Sequence, residues 1–213
     1  MNSFIGFILA AGEGTRSFVE GISLHKGNYP LPDGTTPISR IITQLARGGV
    51  GNIFIVIKQT TPDFKNLRRT ISKIAVELIN DCDGETYPTL SLSKAFSKLT
   101  LPPETTCCVC MCDVLFGKNI HNLITYPLSD KEMALGWHQN KFIGCIKASY
   151  NTLHALCRNT KLAKIDDVIT RHEGLGGSIS KVEVRGIHIG SLEEYTRYII
   201  SKLASTNPHL KSL

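Results

Sequence analysis

The sequence predicts an α/β fold in which a mostly parallel central sheet is flanked by helices. Strand and helix patterns alternate along almost all of the 213 residues, as is typical of chains built from βαβ units. Two apolar runs, residues 4–9 and 52–58, have the length and the composition of buried strands. The chain contains no repeat, low-complexity tract or linker, so we expect residues 1–213 to form one domain.

Helices are predicted where capping residues precede apolar residues at helical spacing. Thr36 and Pro37 begin a helix that Gly48 ends, and residues 61–63 begin another that extends to Leu78. The remaining helices are predicted at residues 91–99, 150–158, 165–172 and 192–204. The remaining strands are predicted at residues 107–111, 142–147 and 180–184. Strands and helices therefore alternate along most of the chain.

The composition, 42% hydrophobic and 20% charged, is that of an ordinary globular protein. The N-terminal apolar run, residues 4–11, is too short for a signal peptide or a membrane span. No other run approaches that length. We therefore expect a cytoplasmic protein without a membrane partner.

The seven cysteines predict buried, reduced thiols. An odd number without framework spacing does not suit a disulfide scaffold. Four of them cluster at positions 107, 108, 110 and 112. On a strand the last three share one face, which is unlike the loop spacing of zinc sites.

The net charge of +6 suggests an anionic partner. Most of the clustered cations lie between Lys58 and Lys73, where a solvated helix face explains them. Nucleic-acid binding would need aromatic residues among these cations, and only Phe64 is nearby. We expect no nucleic-acid partner, whereas a small polyphosphate needs only a few cations in one cleft.

The stretch from Phe4 to Lys26 predicts a triphosphate site. An apolar strand ends in a turn of small residues, and Arg16 and Lys26 follow that turn. Small residues let backbone N–H groups approach phosphates, and the two cations offset the negative charge. Surface positions for both cations are the alternative interpretation.

These residues resemble the consensus of the sugar nucleotidyltransferase family, L-A-A/G-G-x-G-T-R followed farther along by P-K. The matching positions are Leu9, Ala10, Ala11, Gly12, Glu13, Gly14, Thr15, Arg16 and Lys26. The sequence departs from the family at His25, where the family has Pro, and at Phe18 and Val19, where it usually has Arg-Pro. The resemblance implies a compact, single-domain member with a Rossmann-like nucleotidyltransferase core of the GT-A type and ligands outside the carboxyl ends of the strands.

The resemblance also implies roles for individual residues. Arg16 is expected to contact the β- and γ-phosphates, and Lys26 the α-phosphate, where charge develops during transfer. Gly84, in the segment GET before a helix, falls where the family reads the base through its backbone. An ordinary helix-entry loop is the alternative for Gly84.

Two residues are candidate metal ligands. Asp113 ends an apolar strand in a segment that looks like the family's G-D-x-x-F motif, in which the Asp binds the metal. His188 stands where the family's W-x-D-I-G-T-P-E-D-Y motif has a second metal-binding Asp. Imidazole suits Mn²⁺ better than Mg²⁺, so we expect Mg²⁺ or Mn²⁺ as cofactor. The alternatives are an Asp that caps a turn and a His that packs at a strand end.

The resemblance implies an enzyme of nucleotide-sugar biosynthesis that joins a nucleoside monophosphate from a triphosphate to a small phosphorylated acceptor, most commonly a sugar 1-phosphate. A phosphocholine-type cytidylyltransferase suits the compact length equally well. His188 favours a different alternative, a regulatory nucleotide-binding domain that has lost catalysis. Trp137 offers either an acceptor contact or core packing.

Overall fold

The computed structural model describes residues 4–11, 24–58, 75–81, 88–158 and 165–206. The described strands are β1 (Phe4–Ala10), β2 (Asn52–Lys58), β3 (Ala75–Asp81), β4 (Thr106–Met111), β5 (Val114–Phe116), β6 (Glu132–His138), β7 (Lys141–Ser149), β8 (Ser178–Glu183) and β9 (Gly186–His188). The described helices are α1 (Pro37–Arg47), α2 (Pro88–Ser97), α3 (Ile120–Thr125), α4 (Tyr150–Cys157), α5 (Ile165–Gly174) and α6 (Leu192–Thr206), with a short 3₁₀ helix at Lys26–Asn28.

The predicted α/β fold with a mostly parallel sheet is confirmed. Seven strands form one sheet in the order β3-β2-β1-β4-β7-β6-β8, in which only β7 runs antiparallel to its neighbours. The chain passes from β1 to β2 on one side and later enters β4 on the other side of β1. Such a reversal of strand order opens a crevice at the carboxyl ends of the two parallel strands, where α/β proteins bind ligands.

Helices cover both faces of the sheet because neighbouring residues of a strand point in opposite directions. Ile8 packs in a cluster with the apolar side of α1, whereas Phe7 packs in another with α2 and α4. The helix α1 has the predicted bounds, because Thr36 and Ser39 form a reciprocal capping box with hydrogen bonds of 2.8 and 3.2 Å. Within the part of the chain that the structure describes, none of the helices is long and apolar enough to cross a membrane.

The prediction that the second helix extends to Leu78 is wrong at its C-terminal end. Leu78 lies in β3, which pairs in parallel with β2 along its whole length. Leu78 fits a helical period, but with Val76 it also fits the alternation of a strand, so the pairing with β2 decides the structure. Residues 61–74 lie outside the described residues. The strand β6, which the sequence analysis did not predict, pairs with β7 and β8.

A polar network lies at the sheet edge where β6 begins. The Glu132 carboxylate accepts hydrogen bonds from the Ser129 side chain and N–H, from Ser180 Oγ at 2.5 Å and from Tyr126 Oη at 3.0 Å. These hydrogen bonds, led by that from Ser129, lower the pKa of Glu132 from 4.5 to about 2. The ionised carboxylate therefore ties β6 to β8 and to the end of α3.

Candidate active site

The fold brings Lys26 and Asp113 together although 87 positions separate them in the sequence. Lys26 Nζ donates a hydrogen bond to Asp113 Oδ2 at 2.5 Å. The two side chains retain only 17% and 15% of their exposure, so the ion pair is largely shielded from water. The sequence motifs predict both residues at one site, and the structure places them in direct contact.

The end of β4 positions Asp113 beside the end of β1. The two strands run parallel with Leu9 opposite Met111, and the Cys112 N–H donates to the Leu9 carbonyl at 3.3 Å. Asp113 therefore follows β4 at the edge where Ala11 follows β1. This edge holds the crevice created by the reversed strand order, where the motif predicts the phosphates.

The 3₁₀ helix positions Lys26. His25 Nδ1 accepts the Gly27 N–H at 3.0 Å and caps this helix. A Cβ at Gly27 would lie 2.5 Å from Ile38 Cδ1, so only glycine allows the turn to pack this closely on α1. His25 has φ −64°, the value that a proline ring imposes, so its backbone matches the Pro expected at this position.

The electrostatics favour a charged Lys26. Burial alone lowers the pKa of Lys26, but the charge and hydrogen bond of the neighbouring Asp113 oppose this effect, and the pKa is raised overall. An ammonium group thus lies at the crevice under physiological conditions, where it can stabilise negative charge on a phosphate.

The C-terminal motif packs directly against Asp113. β9 pairs antiparallel with β5, and the Ile189 N–H donates to the Asp113 carbonyl at 2.9 Å. A Cβ at Gly190 would lie 2.9 Å from Asp113 Oδ2, so glycine leaves room for this carboxylate. From the sequence, His188 is the one residue of this motif that was predicted to have a role. Gly190 is a site residue that was not predicted. A glycine between an apolar residue, Ile189, and a helix cap was the signal that could have indicated it.

Asp113 fits a hard divalent ion. Its carboxylate oxygen lies at the crevice, in a cradle that a Cβ at Gly190 would fill, and Mg²⁺ in nucleotide sites is commonly held by one or two carboxylates together with phosphate oxygens. Among the residues that the structure describes, no cluster of three or more His, Cys, Asp and Glu side chains could hold an ion by itself. A metal at Asp113 would therefore depend on the nucleotide for most of its ligands.

His188 lies opposite Val114, the residue after Asp113, in the β5–β9 pair. Its side chain is exposed. Its role as second metal ligand stays a prediction.

Several predicted phosphate- and base-binding residues lie outside the described residues. They are Gly12, Glu13, Gly14, Thr15, Arg16 and Gly84. Leu9 and Ala10 end β1 and Ala11 follows it, and all three are buried. The strand that leads into the predicted phosphate turn is thus packed in the core at its C-terminal end.

Trp137 and His138 end β6 at the same edge of the sheet as Asp113, because β4 and β6 both pair antiparallel with β7. Lys181 Nζ lies 4.1 Å from the centre of the Trp137 ring. His138 Nδ1 pairs with Glu183 Oε1 at 2.6 Å. The position at this edge is compatible with an acceptor contact, which stays a prediction.

The cysteines of the described ranges are buried and free, as predicted. Burial raises the pKa of the Cys107, Cys112 and Cys157 thiols to about 12. These thiols stay protonated at neutral pH and pack as small apolar side chains.

The chain belongs to the family of MobA-like NTP transferase domains, whose model matches residues 6–175. It is therefore a nucleotidyltransferase, as the strand, the crevice and the Lys26–Asp113 pair indicate. By sequence alone, no curated protein matches the chain.

Solved structures with the same fold include nucleotidyltransferases. A UTP-bound UGPase from Acinetobacter baumannii has a TM-score of 0.75 and 13% identity, covering 99% of this chain and 96% of that one. A nucleotidyl transferase from Methanothermobacter has a TM-score of 0.77 and 15% identity over 97% of this chain and all, 100%, of its own. The inositol-1-phosphate CTP transferase from T. maritima has a TM-score of 0.70 and 13% identity, covering 96% of this chain and 97% of its own. At such low identity these similarities establish the fold.

Proposed function

We propose that the protein transfers a nucleoside monophosphate from a nucleoside triphosphate to the phosphate of a small acceptor, a sugar 1-phosphate, and releases pyrophosphate. The observation that carries this proposal is the Lys26–Asp113 pair at 2.5 Å, at the crevice beside β1. A cation and a carboxylate that are 87 positions apart in sequence meet where the phosphate turn begins. The structural neighbours support the acceptor class, since one is described as a UDP-glucose pyrophosphorylase complexed with UDP-glucose.

The reaction needs no nucleophile from the protein. An oxygen of the acceptor phosphate attacks the α-phosphorus in line, the bond from this phosphorus to the bridging oxygen breaks, and pyrophosphate leaves with that electron pair. Negative charge grows on the non-bridging oxygens of the α-phosphate and on the leaving group. Catalysis by this chain therefore consists of positioning and of charge stabilisation.

Lys26 is the described residue that supplies positive charge to this reaction. Its raised pKa keeps the ammonium charged, and its shielding from water strengthens its interaction with the α-phosphate. Arg16, at the predicted turn, would bind the β- and γ-phosphates. Asp113, with His188 as second candidate ligand, would hold Mg²⁺ or Mn²⁺, which when bound neutralises phosphate charge.

A panel experiment tests the proposal. Pyrophosphate release is measured for the four common nucleoside triphosphates against sugar 1-phosphates and phosphocholine, each with Mg²⁺ and with Mn²⁺. We expect release only when triphosphate, acceptor and metal are all present, and we expect Asp113→Asn to abolish it. Release that Asp113→Asn leaves unchanged would remove Asp113 from the site.

His188 favours a second candidate, a nucleotide-binding domain without catalysis, because it replaces the expected carboxylate and is exposed. The same panel separates the two functions. Triphosphate binding by calorimetry without pyrophosphate release for any acceptor would support the binding domain and overturn the transferase.

A further inference from the structure

The C-terminal segment, residues 186–198, contacts Asp113 and the residues that directly follow the 3₁₀ helix of Lys26, although it lies beyond the region, residues 6–175, that the family model matches. Ile189, directly after β9, bonds to Asp113, and Tyr195 in α6 contacts Tyr29 and Pro30, directly after the 3₁₀ helix. We propose that Gly190 and Tyr195 in this segment are positioning residues that hold Lys26 and Asp113 in the geometry needed for transfer. The inference rests on the function proposed above.

Gly190 sets the position of the Asp113 carboxylate. The main chain of Asp113 is held by the Ile189 N–H, which donates to its carbonyl at 2.9 Å. A Cβ at Gly190 would lie 2.9 Å from Oδ2, the oxygen bonded to Lys26. Because the Ile189 hydrogen bond holds the main chain of Asp113, we expect an alanine at position 190 to displace the carboxylate, the flexible end of the side chain, from its place beside Lys26.

Tyr195 holds the segment that carries Lys26. Its hydroxyl donates to the Pro30 carbonyl at 2.5 Å, across 165 positions of sequence. Its ring lies 4.7 Å from the ring of Tyr29, at 44° between the planes. Tyr29 directly follows the 3₁₀ helix that begins at Lys26, so these two contacts limit the movement of the helix.

A small apolar cluster joins the same three parts of the chain. It consists of Leu31 after the 3₁₀ helix, Leu115 in β5, and Ile189 and Tyr198 in the C-terminal segment. All four side chains are buried, with exposures between 0% and 6%. The cluster therefore packs the segment that carries Lys26, the strand after Asp113 and the C-terminal segment against one another.

The start of α6 is itself fixed. The Ser191 N–H donates to Glu194 Oε2 at 3.0 Å, and the Glu194 N–H donates to Ser191 Oγ at 3.1 Å. This reciprocal capping box sets the direction of α6 directly after Gly190. Gly190 and Tyr195 thus act from one rigid element, which suits groups that must be held to within a fraction of an ångström.

The test uses Gly190→Ala and Tyr195→Phe with a matched control for each. Gly51→Ala is the first control, because no atom lies within 4 Å of the Cβ it would add. Tyr126→Phe is the second, because the Tyr126 hydroxyl bonds to Glu132 and Ser180 at the far end of β6. For each variant we would measure kcat and the KM for triphosphate by pyrophosphate release, together with the thermal midpoint.

We expect Gly190→Ala to lower kcat roughly 100-fold, as a misplacement of about 1 Å does. Tyr195→Phe should lower kcat about tenfold, corresponding to the loss of one hydrogen bond, with little change in KM. Tyr126→Phe should lose at least as much thermal stability as Tyr195→Phe, because its hydroxyl bonds to an ionised carboxylate, but should keep its kcat. Gly51→Ala should behave like the wild type. Equal kcat in Tyr195→Phe and Tyr126→Phe would overturn the role of Tyr195.

Metal-free crystal structures give a readout that does not depend on the reaction. Lys26 Nζ and Asp113 Oδ2 should keep their 2.5 Å pairing in the wild type and in Gly51→Ala, but lose it in Gly190→Ala, where the two atoms should lie about 1 Å farther apart. A wild type without transferase activity would refute the proposed function, and these structures would still decide the positioning. An intact ion pair in Gly190→Ala would overturn the role of Gly190.

Discussion

Replacing Lys26 with methionine should strengthen metal binding in the absence of nucleotide while it slows nucleotidyl transfer. In the metal-free protein the Lys26 ammonium lies 2.5 Å from Asp113 Oδ2, so a divalent ion must compete with it for the carboxylate. Methionine keeps a long, flexible, unbranched side chain and removes the charge. The two effects have opposite signs, which a general loss of structure would not produce.

The structure sets the magnitude of both effects. The two side chains are 17% and 15% exposed, so the ion pair is neither fully exposed nor fully buried. Exposed ion pairs contribute about 0–1 kcal/mol, and disrupting a buried pair costs about 3–5 kcal/mol. An intermediate value of about 2 kcal/mol corresponds to roughly 30-fold tighter metal binding in Lys26→Met. Loss of one preorganised group that stabilises transition-state charge lowers kcat by about 10²–10³.

The assay is a titration with Mn²⁺ in which free Mn²⁺ is followed by its paramagnetic resonance signal. It is done without nucleotide and repeated with triphosphate present. Lys98→Met, which removes an exposed charge after α2, controls for the change in net charge. Tighter Mn²⁺ binding in Lys26→Met alone would confirm the competition. Unchanged Mn²⁺ affinity, or a kcat equal to that of the wild type, would refute the reasoning.

Four further predictions concern other residues. Gly14→Val should abolish triphosphate binding with little loss of fold, because a β-branched side chain blocks the approach of the backbone to phosphate; wild-type affinity by calorimetry would contradict the phosphate turn. His188→Asp should raise Mg²⁺-dependent activity, since a hard cation prefers oxygen ligands, and unchanged activity with normal stability would reject the ligand role. The pKa of Glu132 is lowered from 4.5 to about 2, so its contribution to stability is present above 4.5 and is lost as the pH falls toward 2; Glu132→Gln should therefore flatten the pH dependence of unfolding in this window, and an unchanged slope would argue against it. The six described cysteines should react with iodoacetamide at pH 8 only after unfolding, and labelling of their peptides in the native protein would show that they are accessible.

The sequence by itself determined the elements whose signals are local. α1 begins and ends where its capping residues predict, because Thr36 and Ser39 bond to each other within one turn. β2 has the predicted bounds, Asn52–Lys58. Its run of apolar, β-branched residues predicts a buried strand without knowledge of the strands that lie beside it. The sequence also assigned Lys26 and Asp113 to one candidate site, through motifs whose spacing along the chain is visible.

Only the tertiary structure decided how these parts meet. The ion pair of Lys26 and Asp113 depends on β4 lying beside β1 in the sheet. The order of strands in a sheet cannot be predicted from the periodicity of the sequence. The end of the second predicted helix was wrong because Leu78 fits both periods, and the pairing of β3 with β2 selected the strand. Gly190 and Tyr195 acquire their roles through contacts with Asp113 and Pro30, which are distant in sequence. Local signals specify elements, whereas the alignment of a site depends on non-local packing that forms only when the whole chain folds.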